Sequence, residues 1–259
     1  MEPLAFRRYN EEKGKRILFC GDDDVDMAAI YLAAIIRAEG YGLDYIPSPL
    51  PIPNSLEFNN YDLIILSDYP RDQIKDKRLE EICEVVKQGT SFLMIGGWES
   101  FTGLNIEYKN SPLEDILPVQ LLDTDDRRNY DQGIAVIATD VNHPVCSGLD
   151  FDRPAVIGGY NEFEPKENAI CVLCGRKIKI SISDEVISTA VDHDKIPLLI
   201  TDRAGKGNVA ALAFDLAPHW VGGFVDWGTE RKHVDFADGF IEVGDMYYKF
   251  VANLLKSMF

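Results

Sequence analysis

Residues 92–103 read Phe-Leu-Met-Ile-Gly-Gly-Trp-Glu-Ser-Phe-Thr-Gly, an apolar run that leads straight into a glycine pair and a short turn. Four successive apolar residues, 92–95, are typical of a strand that is covered on both faces. Gly96 and Gly97 allow the backbone to turn sharply where a side chain would clash. Ligands of α/β proteins bind at the carboxyl ends of such strands, so we expect the functional site at this turn.

The segments before this turn alternate between strand and helix patterns. We predict strands at residues 16–20, 43–46 and 61–66, and helices at residues 27–39 and 77–87. Alternation of this kind implies right-handed crossovers and a mainly parallel sheet with helices on both faces. The predicted fold class is therefore α/β.

The pattern changes in the second half of the chain. We predict a short helix at residues 111–118, a charged loop at 123–128, a hairpin turn at 205–207 and an amphipathic helix at 246–258. Predicted strands lie at residues 134–138, 169–173, 177–183, 197–201 and 208–214. Their partial alternation of apolar and polar residues predicts a β-rich, antiparallel C-terminal extension of the sheet.

The length of 259 residues and the apolar fraction of 46% are those of one large, well-packed domain. We predict a single domain over residues 1–259, with residues 1–15 as an N-terminal extension and the core from about residue 16 onward. The longest apolar stretches are shorter than the ~20 residues that cross a bilayer. The first residues lack the apolar core of a secretion signal, so we expect a cytoplasmic location.

The formal net charge of −17 limits the partners of the chain. A field of this sign repels phosphate backbones and anionic lipids, which disfavours nucleic acid and membranes as partners. A small polar ligand remains a candidate partner. A homo-oligomer also remains open, because the C-terminal helix is apolar and aromatic residues such as Phe236 and Phe240 are available for a self-interface. No cofactor is identified by the sequence.

The five cysteines lie mostly in apolar segments, which favours reduced thiols in the core over disulfides. Cys171 and Cys174 have a spacing that is found in metal sites. Their segment is predicted to be a strand, in which residues three apart face opposite sides of the sheet, so a shared metal ion is disfavoured. No other ligand spacing in the sequence is diagnostic, and we predict no metal ligands.

Short motifs run in a fixed order along residues 16–230. They are residues 61–68 (Tyr-Asp-Leu-Ile-Ile-Leu-Ser-Asp), Gly96 and Gly97 with Ser100, Phe101 and Gly103, residues 117–119 (Leu-Pro-Val), 125–127 (Asp-Asp-Arg), 143–144 (His-Pro), 159–161 (Gly-Tyr-Asn) and 205–207 (Gly-Lys-Gly), and Asp215 with residues 218–220 (Pro-His-Trp). With these motifs the chain resembles the class I glutamine amidotransferase-like proteins of the bacterial cytoplasm, which are distantly akin to trehalose-utilisation proteins. The resemblance implies a flavodoxin-like core, whereas a shared fold alone does not imply a reaction.

A class I amidotransferase releases ammonia from glutamine with a Cys on the strand-to-helix turn, a His that activates it and a Glu two residues after that His. This chain has Trp98 at the turn, and Val221 stands two residues after the candidate base His219. The turn after the third strand, residues 67–70, lacks the glycine pair that directs an amide toward the oxyanion. These three departures from the family pattern disfavour glutaminase activity.

The polar residues at the predicted strand ends form the candidate site. His219 and Ser100 are the candidates for catalysis, the first as a base and the second as a nucleophile. The candidate ligand-binding residues are Gly97, Trp98, Glu99, Asp125, Asp126, Arg127, Tyr160, Asn161 and Asp215. Arg127 has the fork geometry that binds a carboxylate or a phosphate. Together these residues predict a crevice that binds a small polar ligand.

Structural explanations compete with these roles. Ser100 is more simply explained as the cap of a following helix. Asp125 and Arg127 also fit an ion pair that fixes a loop. Residues 159–161 fit a turn in which Asn161 takes a left-handed conformation. His219 is also compatible with simple stacking against the neighbouring Trp220.

Two further functions remain open beside the ligand-binding hypothesis. A hydrolase of unknown substrate, metal-assisted or based on Ser100 and His219, would use carboxylates near the strand ends. These carboxylates are Asp22, Asp23, Asp68, Glu99 and Asp215. A structural or oligomer-forming module would need no such chemistry. The leading hypothesis is an amidotransferase-like protein without the Cys-His-Glu triad, and the sequence leaves open whether it is an enzyme.

Overall fold

The computed structural model describes residues 6–9, 14–105, 107–183 and 186–259, with the backbone but not the side chain of His219. Within these residues, one sheet of eleven strands and two sheets of two strands are present. In chain order the strands are β1 (Arg7–Tyr9), β2 (Arg16–Gly21), β3 (Gly42–Ile46), β4 (Leu63–Ser67), β5 (Ser91–Ile95), β6 (Val119–Leu121), β7 (Arg127–Ala138), β8 (Val156–Asn161), β9 (Phe163–Pro165), β10 (Ile170–Ser183), β11 (Val186–Val191), β12 (Ile196–Ala204), β13 (Gly207–Leu212), β14 (Arg231–Phe236) and β15 (Gly239–Gly244).

The α-helices are α1 (Ile30–Ala38), α2 (Asp76–Gln88), α3 (Pro218–Val221) and α4 (Asp245–Ser257). Short 3-10 helices lie at Phe58–Asn60, Arg71–Gln73, Pro112–Asp115, Pro144–Cys146 and Gly222–Asp226. Helix α1 packs against α4 and the β14–β15 hairpin, whereas α2 packs against β13 and two of the 3-10 helices. None of the helices in the described part of the chain is long and apolar enough to cross a membrane.

The large sheet is mixed, with the strand order β1-β3-β2-β4-β5-β13-β12-β10-β7-β8 and with β11 paired to β10. Strands β3, β2, β4, β5 and β13 run parallel to one another, and the strands from β12 to β8 are antiparallel. Every residue of β4 and β5 is buried, because helices and loops cover both faces. The prediction of an α/β fold with an antiparallel extension is confirmed. The sheet as a whole is mixed, since half of it belongs to that extension.

Strands β2 to β5, helices α1 and α2, β13, and α4 lie where the sequence predicts them, within a few residues at their ends. The predicted charged loop at residues 123–128 ends earlier than expected, because β7 begins at Arg127. The strands predicted at 169–173 and 177–183 are one strand, β10, which is long enough to pair with three neighbours, β7, β11 and β12. The predicted short helix at 111–118 is only the 3-10 turn Pro112–Asp115.

The β14–β15 hairpin was not among the predicted elements. It packs against α1, and its Phe236 is 5% exposed whereas Phe240 is 57% exposed. Helix α4, from Asp245 to Ser257, also buries its apolar face inside the chain. The expectation that Phe236 and the apolar C-terminal helix are free for a self-interface is therefore wrong, because the chain's own core covers both.

Candidate functional site

The Gly96–Gly97 corner follows β5 at the carboxyl edge of the parallel strands. A Cβ atom at Gly96 would lie 2.5 Å from the carbonyl oxygen of Ala213, and one at Gly97 would lie 2.5 Å from a carboxylate oxygen of Asp68. Both distances are too short for a side chain, so both positions require glycine. The glycine pair thus allows the segments that follow strands β4, β5 and β13 to approach each other closely.

Asn161 and Asp126 fix the backbone of this corner by hydrogen bonds on its buried side. The side-chain oxygen of Asn161 accepts a hydrogen bond from the Gly97 amide (3.0 Å), and its amide group donates to the Gly97 carbonyl (3.1 Å) and to Asp126 (2.8 Å). Asp126 also accepts from the backbone amides of Thr102 (2.8 Å) and Gly103 (3.0 Å). Burial raises the pKa of Asp126, and the hydrogen bonds that it accepts oppose that rise. We call Gly97, Asp126 and Asn161 the buried polar cluster.

The structure corrects the expected turn at residues 159–161. Asn161 is the last residue of β8 and pairs with Arg127 of β7, so its backbone belongs to a strand. Its side chain is fully buried, at 0% exposure. The left-handed turn was the wrong interpretation, because a buried amide that bridges two distant segments leaves no local sequence signal.

Ser100 connects two of the loops that meet at the corner. Its hydroxyl donates to the carbonyl oxygen of Ile95 (2.6 Å) and accepts from the backbone amide of Asp68 (3.1 Å). Residues 97–105 form turns and bends, so no helix follows Ser100 and the helix-cap interpretation is wrong. The side chain is 2% exposed, and its proton points to a backbone carbonyl. This geometry disfavours Ser100 as a nucleophile.

Trp98, Asp125 and Arg127 form the exposed side of the corner. Trp98 is 59% exposed, and the Arg127 guanidinium lies 4.9 Å from its ring centroid, within cation–π distance. The same guanidinium donates two hydrogen bonds of 2.9 Å to the carboxylate of Asp125. These bonds lower the pKa of Asp125 to about 2. The predicted ion pair is therefore present, and Asp125 occupies the guanidinium edge that was expected to bind a ligand carboxylate.

A pocket of about 310 Å³ opens on this side of the corner. Its lining residues are Asp68, Trp98, Glu99, Leu104, Asn105 and Arg127, and we call it the rim pocket. Burial raises the pKa of Glu99 to about 7, and the negative charges of Asp68 and Glu107 add to the rise. Near neutral pH, Glu99 is therefore present in both protonation states. Such a carboxyl both donates and accepts hydrogen bonds.

Acidic residues also lie at the ends of β2 and β13. Asp22 is 4% exposed and accepts a hydrogen bond of 3.1 Å from the Ser67 hydroxyl. Asp215 is fully buried and accepts from the backbone amide of Ala217 (2.8 Å). Burial, together with the charges of Asp215 and Asp68, raises the pKa of Asp22 well above its usual range. The predicted convergence of carboxylates at the strand ends is present, and it makes this region unfavourable for an anion.

Tyr160 and His219 are not among the residues that line the rim pocket. Tyr160 lines a separate cavity of about 210 Å³ together with Glu162 and Lys195. Because Tyr160 precedes Asn161 on a strand, its side chain points to the opposite face of the sheet. The backbone of His219 lies in α3, four residues after Asp215, and its side chain lies outside the described residues. The role proposed for His219 stays a prediction.

Leu104 and Asn105 line the rim pocket without having been sequence candidates. Leu104 is 60% exposed and directly follows Gly103, whose φ is +54°. The sequence does contain a signal for Leu104, because it is an apolar residue that directly follows a turn glycine and belongs to no helical or strand pattern. Across the described side chains, no three His, Cys, Asp or Glu residues lie together as metal ligands.

Most of the chain matches a known protein family. Residues 20–236 match the model of the family described as "Putative glutamine amidotransferase" (GATase1-like). The chain belongs to this family. The matched region includes the glycine corner, the buried polar cluster and the rim pocket. A search of curated proteins finds no match.

Solved structures of several proteins share the fold. The chain is similar to the cytoplasmic protein STM3548 from Salmonella typhimurium, with 28% identity, a TM-score of 0.72, and coverage of 93% of this chain and 98% of that one. The cytoplasmic protein STM1381 from Salmonella typhimurium LT2 has 26% identity and a TM-score of 0.71, with coverage of 94% and 99%. A cold-adapted β-galactosidase from Rahnella sp. R3 has 14% identity and a TM-score of 0.51, with coverage of 95% and 31%, which shows a shared fold only.

Proposed function

We propose that this chain binds a small, uncharged polar ligand in the rim pocket and does not catalyse cysteine-dependent glutamine hydrolysis. The observation that carries the proposal is Trp98, a tryptophan that stays 59% exposed beside a pocket of about 310 Å³. Large aromatic side chains are normally buried, and an exposed one next to hydrogen-bonding groups is typical of a ligand site. The Arg127 guanidinium holds the ring in place.

The charges around the rim pocket argue for an uncharged ligand. Asp68 and Glu99 line it, and further carboxylates lie close enough to raise the pKa of Glu99. This field repels carboxylates and phosphates, and Arg127 already neutralises Asp125. A molecule that offers hydroxyl groups to Glu99 and Asn105 and a C–H face to Trp98, such as a sugar ring, matches the lining groups best.

The positions of the cysteines support the second half of the proposal. Cys20, Cys83, Cys146 and Cys174 are buried, and Cys171 is half-buried in β10. Burial raises the pKa of Cys83 and of Cys146 to about 11, so these thiols are protonated at neutral pH. Trp98 follows the glycine corner at the place where the family's nucleophile is expected.

The binding proposal is tested by titrating the chain with a panel of neutral monosaccharides and measuring binding by isothermal titration calorimetry. Trp98→Ala is expected to lower the affinity by about ten-fold or more, because stacking on the ring is lost. The matched control is Trp220→Phe, which leaves the rim pocket intact and keeps the affinity. Binding that survives Trp98→Ala would contradict the proposed site.

The glutaminase half is tested separately with an ammonia-release assay on glutamine. We expect no release above the uncatalysed rate. Release that disappears after alkylation of the thiols would show a cysteine-dependent glutaminase and overturn this half of the proposal, whatever the result of the sugar titration.

A second candidate function is hydrolysis with Glu99 as the proton-transfer group. The observation that favours it is the pKa of Glu99, which at about 7 suits a general acid or base at neutral pH. Nitrophenyl glycosides and esters serve as probes. Turnover with an optimum near neutral pH that is lost in Glu99→Gln supports this function, and absence of turnover on these probes removes its support.

We also propose that the parallel half of the sheet is a flavodoxin-like core. The order β3-β2-β4-β5-β13 of the parallel strands is that of a flavodoxin-like sheet, which supports a class I amidotransferase type of core. We further propose a cytoplasmic location, which the reduced cysteines and the two cytoplasmic Salmonella relatives support.

A further inference from the structure

The distal part of β10 and all of β11 form a two-stranded arm that lies outside the core. We define the arm as residues 178–183 of β10 with β11. Every described residue from 179 to 191 is exposed. Within the described residues, β11 pairs only with β10, so its outer edge carries no strand. An isolated two-stranded hairpin is only marginally stable in water, which makes an uncovered arm unusual.

One face of the arm is apolar. The cross-strand pairs on this face are Ile178 with Val191, Ile180 with Thr189, and Ile182 with Ile187. Ile182 and Ile187 are 73% and 68% exposed, and Ile180 and Val191 are each 44% exposed. Because strand side chains alternate, the opposite face carries the pairs Lys179 with Ala190, Ser181 with Ser188 and Ser183 with Val186. The arm is therefore amphipathic, and its apolar face is open to water.

A large cavity adjoins the base of this apolar face. It has a volume of about 700 Å³, and we call it the groove. Its lining includes Tyr130, Gly133, Val156, Trp220 and Trp227. The indole N–H groups of Trp220 and Trp227 donate to Asn129 and to the Arg153 carbonyl, so only the apolar parts of these rings remain for an occupant.

The groove and the apolar face of the arm form one continuous surface. A Cβ atom at Gly133 would lie 2.5 Å from Val156 and 3.8 Å from Ile178. Gly133 and Val156 line the groove, and Ile178 is the first residue of the arm's apolar face. The chain cannot fold this arm into its own groove, because β10 is paired at its base with both β7 and β12.

We propose that the arm of one chain docks its apolar face into the groove of a second copy, and that a two-fold axis makes the exchange mutual. Because arm and groove lie next to each other on one surface, a single two-fold axis can place each arm in the groove of the other copy. The exposed residues Ile180, Ile182, Ile187 and Val191 of each arm provide an apolar patch of roughly several hundred Å². Two such contacts related by symmetry give an interface in the range of stable complexes.

Charge distribution favours a second copy as the occupant. Two bodies with a net charge of −17 repel each other, yet residues 176–192 contain three basic and three acidic residues. The segment that contains the arm is thus neutral in sum on an acidic molecule. The acidic side chains of the groove are largely neutralised, because Asp150 pairs with Arg153 and Asp226 pairs with Arg231, so arm and groove are both surfaces of low net charge that can approach each other.

The test compares two neighbouring residues on opposite faces of the arm by sedimentation equilibrium of the full chain. Wild type is expected to dimerise. Ile187→Lys is expected to weaken the dimer by about a hundred-fold, because it places a charge in the apolar contact. Val186→Lys is the matched control, since Val186 is 64% exposed on the other face. It is expected to change the dimerisation constant by less than about three-fold.

A groove variant distinguishes arm-in-groove docking from other modes. Val156→Lys is expected to weaken the dimer as strongly as Ile187→Lys, and a mixture of the two variants is expected to associate better than either alone, because one of the two contacts is intact. Circular dichroism checks that each variant is folded. A monomer at all concentrations, a dimer that Ile187→Lys leaves unchanged, or a dimer that Val156→Lys leaves unchanged would each overturn the proposal.

Discussion

The two sides of the Gly96–Gly97 corner have the same types of residue and opposite environments. Asp126 on the inner side is 0% exposed and accepts hydrogen bonds from two backbone amides and from Asn161. Asp125, its neighbour in sequence, lies on the outer side and pairs with Arg127 beside the exposed Trp98. Adjacent aspartates therefore have different tasks, since the inner one holds the backbone and the outer one orients a cation at the pocket.

The largest effect is expected from a matched pair of substitutions at these aspartates. Asp126→Asn places an NH₂ group either against the Thr102 amide or against the Gly103 amide and the Asn161 side chain, all of which are donors, and we expect the free energy of unfolding to fall by about 3 kcal/mol. Asp125→Asn weakens an ion pair whose carboxylate is 40% exposed to solvent and is expected to cost about 1 kcal/mol. Urea denaturation measures both values. Equal losses for the two variants would contradict the assignment of a structural inner side and a pocket-facing outer side.

A smaller effect is expected at the glycine corner itself. Gly97→Ala adds a Cβ atom 2.5 Å from the carboxylate of Asp68, and we expect a loss of about 2 kcal/mol in the free energy of unfolding as the two loops separate. Gly223→Ala is the control, because nothing lies within 4 Å of an added Cβ there. Thermal unfolding of both variants sharpens the comparison. A Gly97→Ala variant as stable as the control would show that the corner is not tightly packed.

The smallest effect is expected from the pH dependence of Glu99. Its pKa of about 7 in the folded chain lies above the ordinary value of 4.5, so the folded state holds this proton more tightly than the unfolded state. The stabilisation of the folded state that comes from this raised pKa is therefore fully present below pH 4.5 and is lost as the pH rises through about 7. Glu99→Gln removes this loss.

The melting temperature of wild type is therefore expected to fall by a few degrees, relative to Glu99→Gln, between acidic and mildly alkaline pH. Glu80→Gln, at an exposed position on α2, controls for the removal of one negative charge. A difference between wild type and Glu99→Gln that stays constant with pH would mean that Glu99 is not held in the low-polarity site described above.

Sequence patterns predicted the parallel half of the sheet well, because apolar runs such as residues 92–95 have few alternatives to a buried strand. They also located the glycine corner and the Asp125–Arg127 pair. They failed at Asn161 and Ser100, whose roles depend on groups that are distant in sequence. Gly97 is 64 residues from Asn161, and Asp68 is 32 residues from Ser100. No local pattern encodes a partner at such a separation.

The arm was missed for a different reason. Alternation of Ile with Lys or Ser at residues 178–183 predicts a strand correctly, but alternation does not show whether the apolar face meets the core or water. Only the register of β10 with β11 shows that Ile182 and Ile187 lie on one uncovered face. Burial is a property of the whole fold.

The insertion of β13 beside β5 has a kinetic consequence. Gly96 packs against Ala213, and Gly97 is bound by Asn161, so the corner takes its final shape only after two late segments of the chain have docked. Closing such long loops costs chain entropy before any contact compensates for it. During refolding, the first strands and α1 can form from local contacts, whereas the pocket is among the last parts of the chain to become ordered.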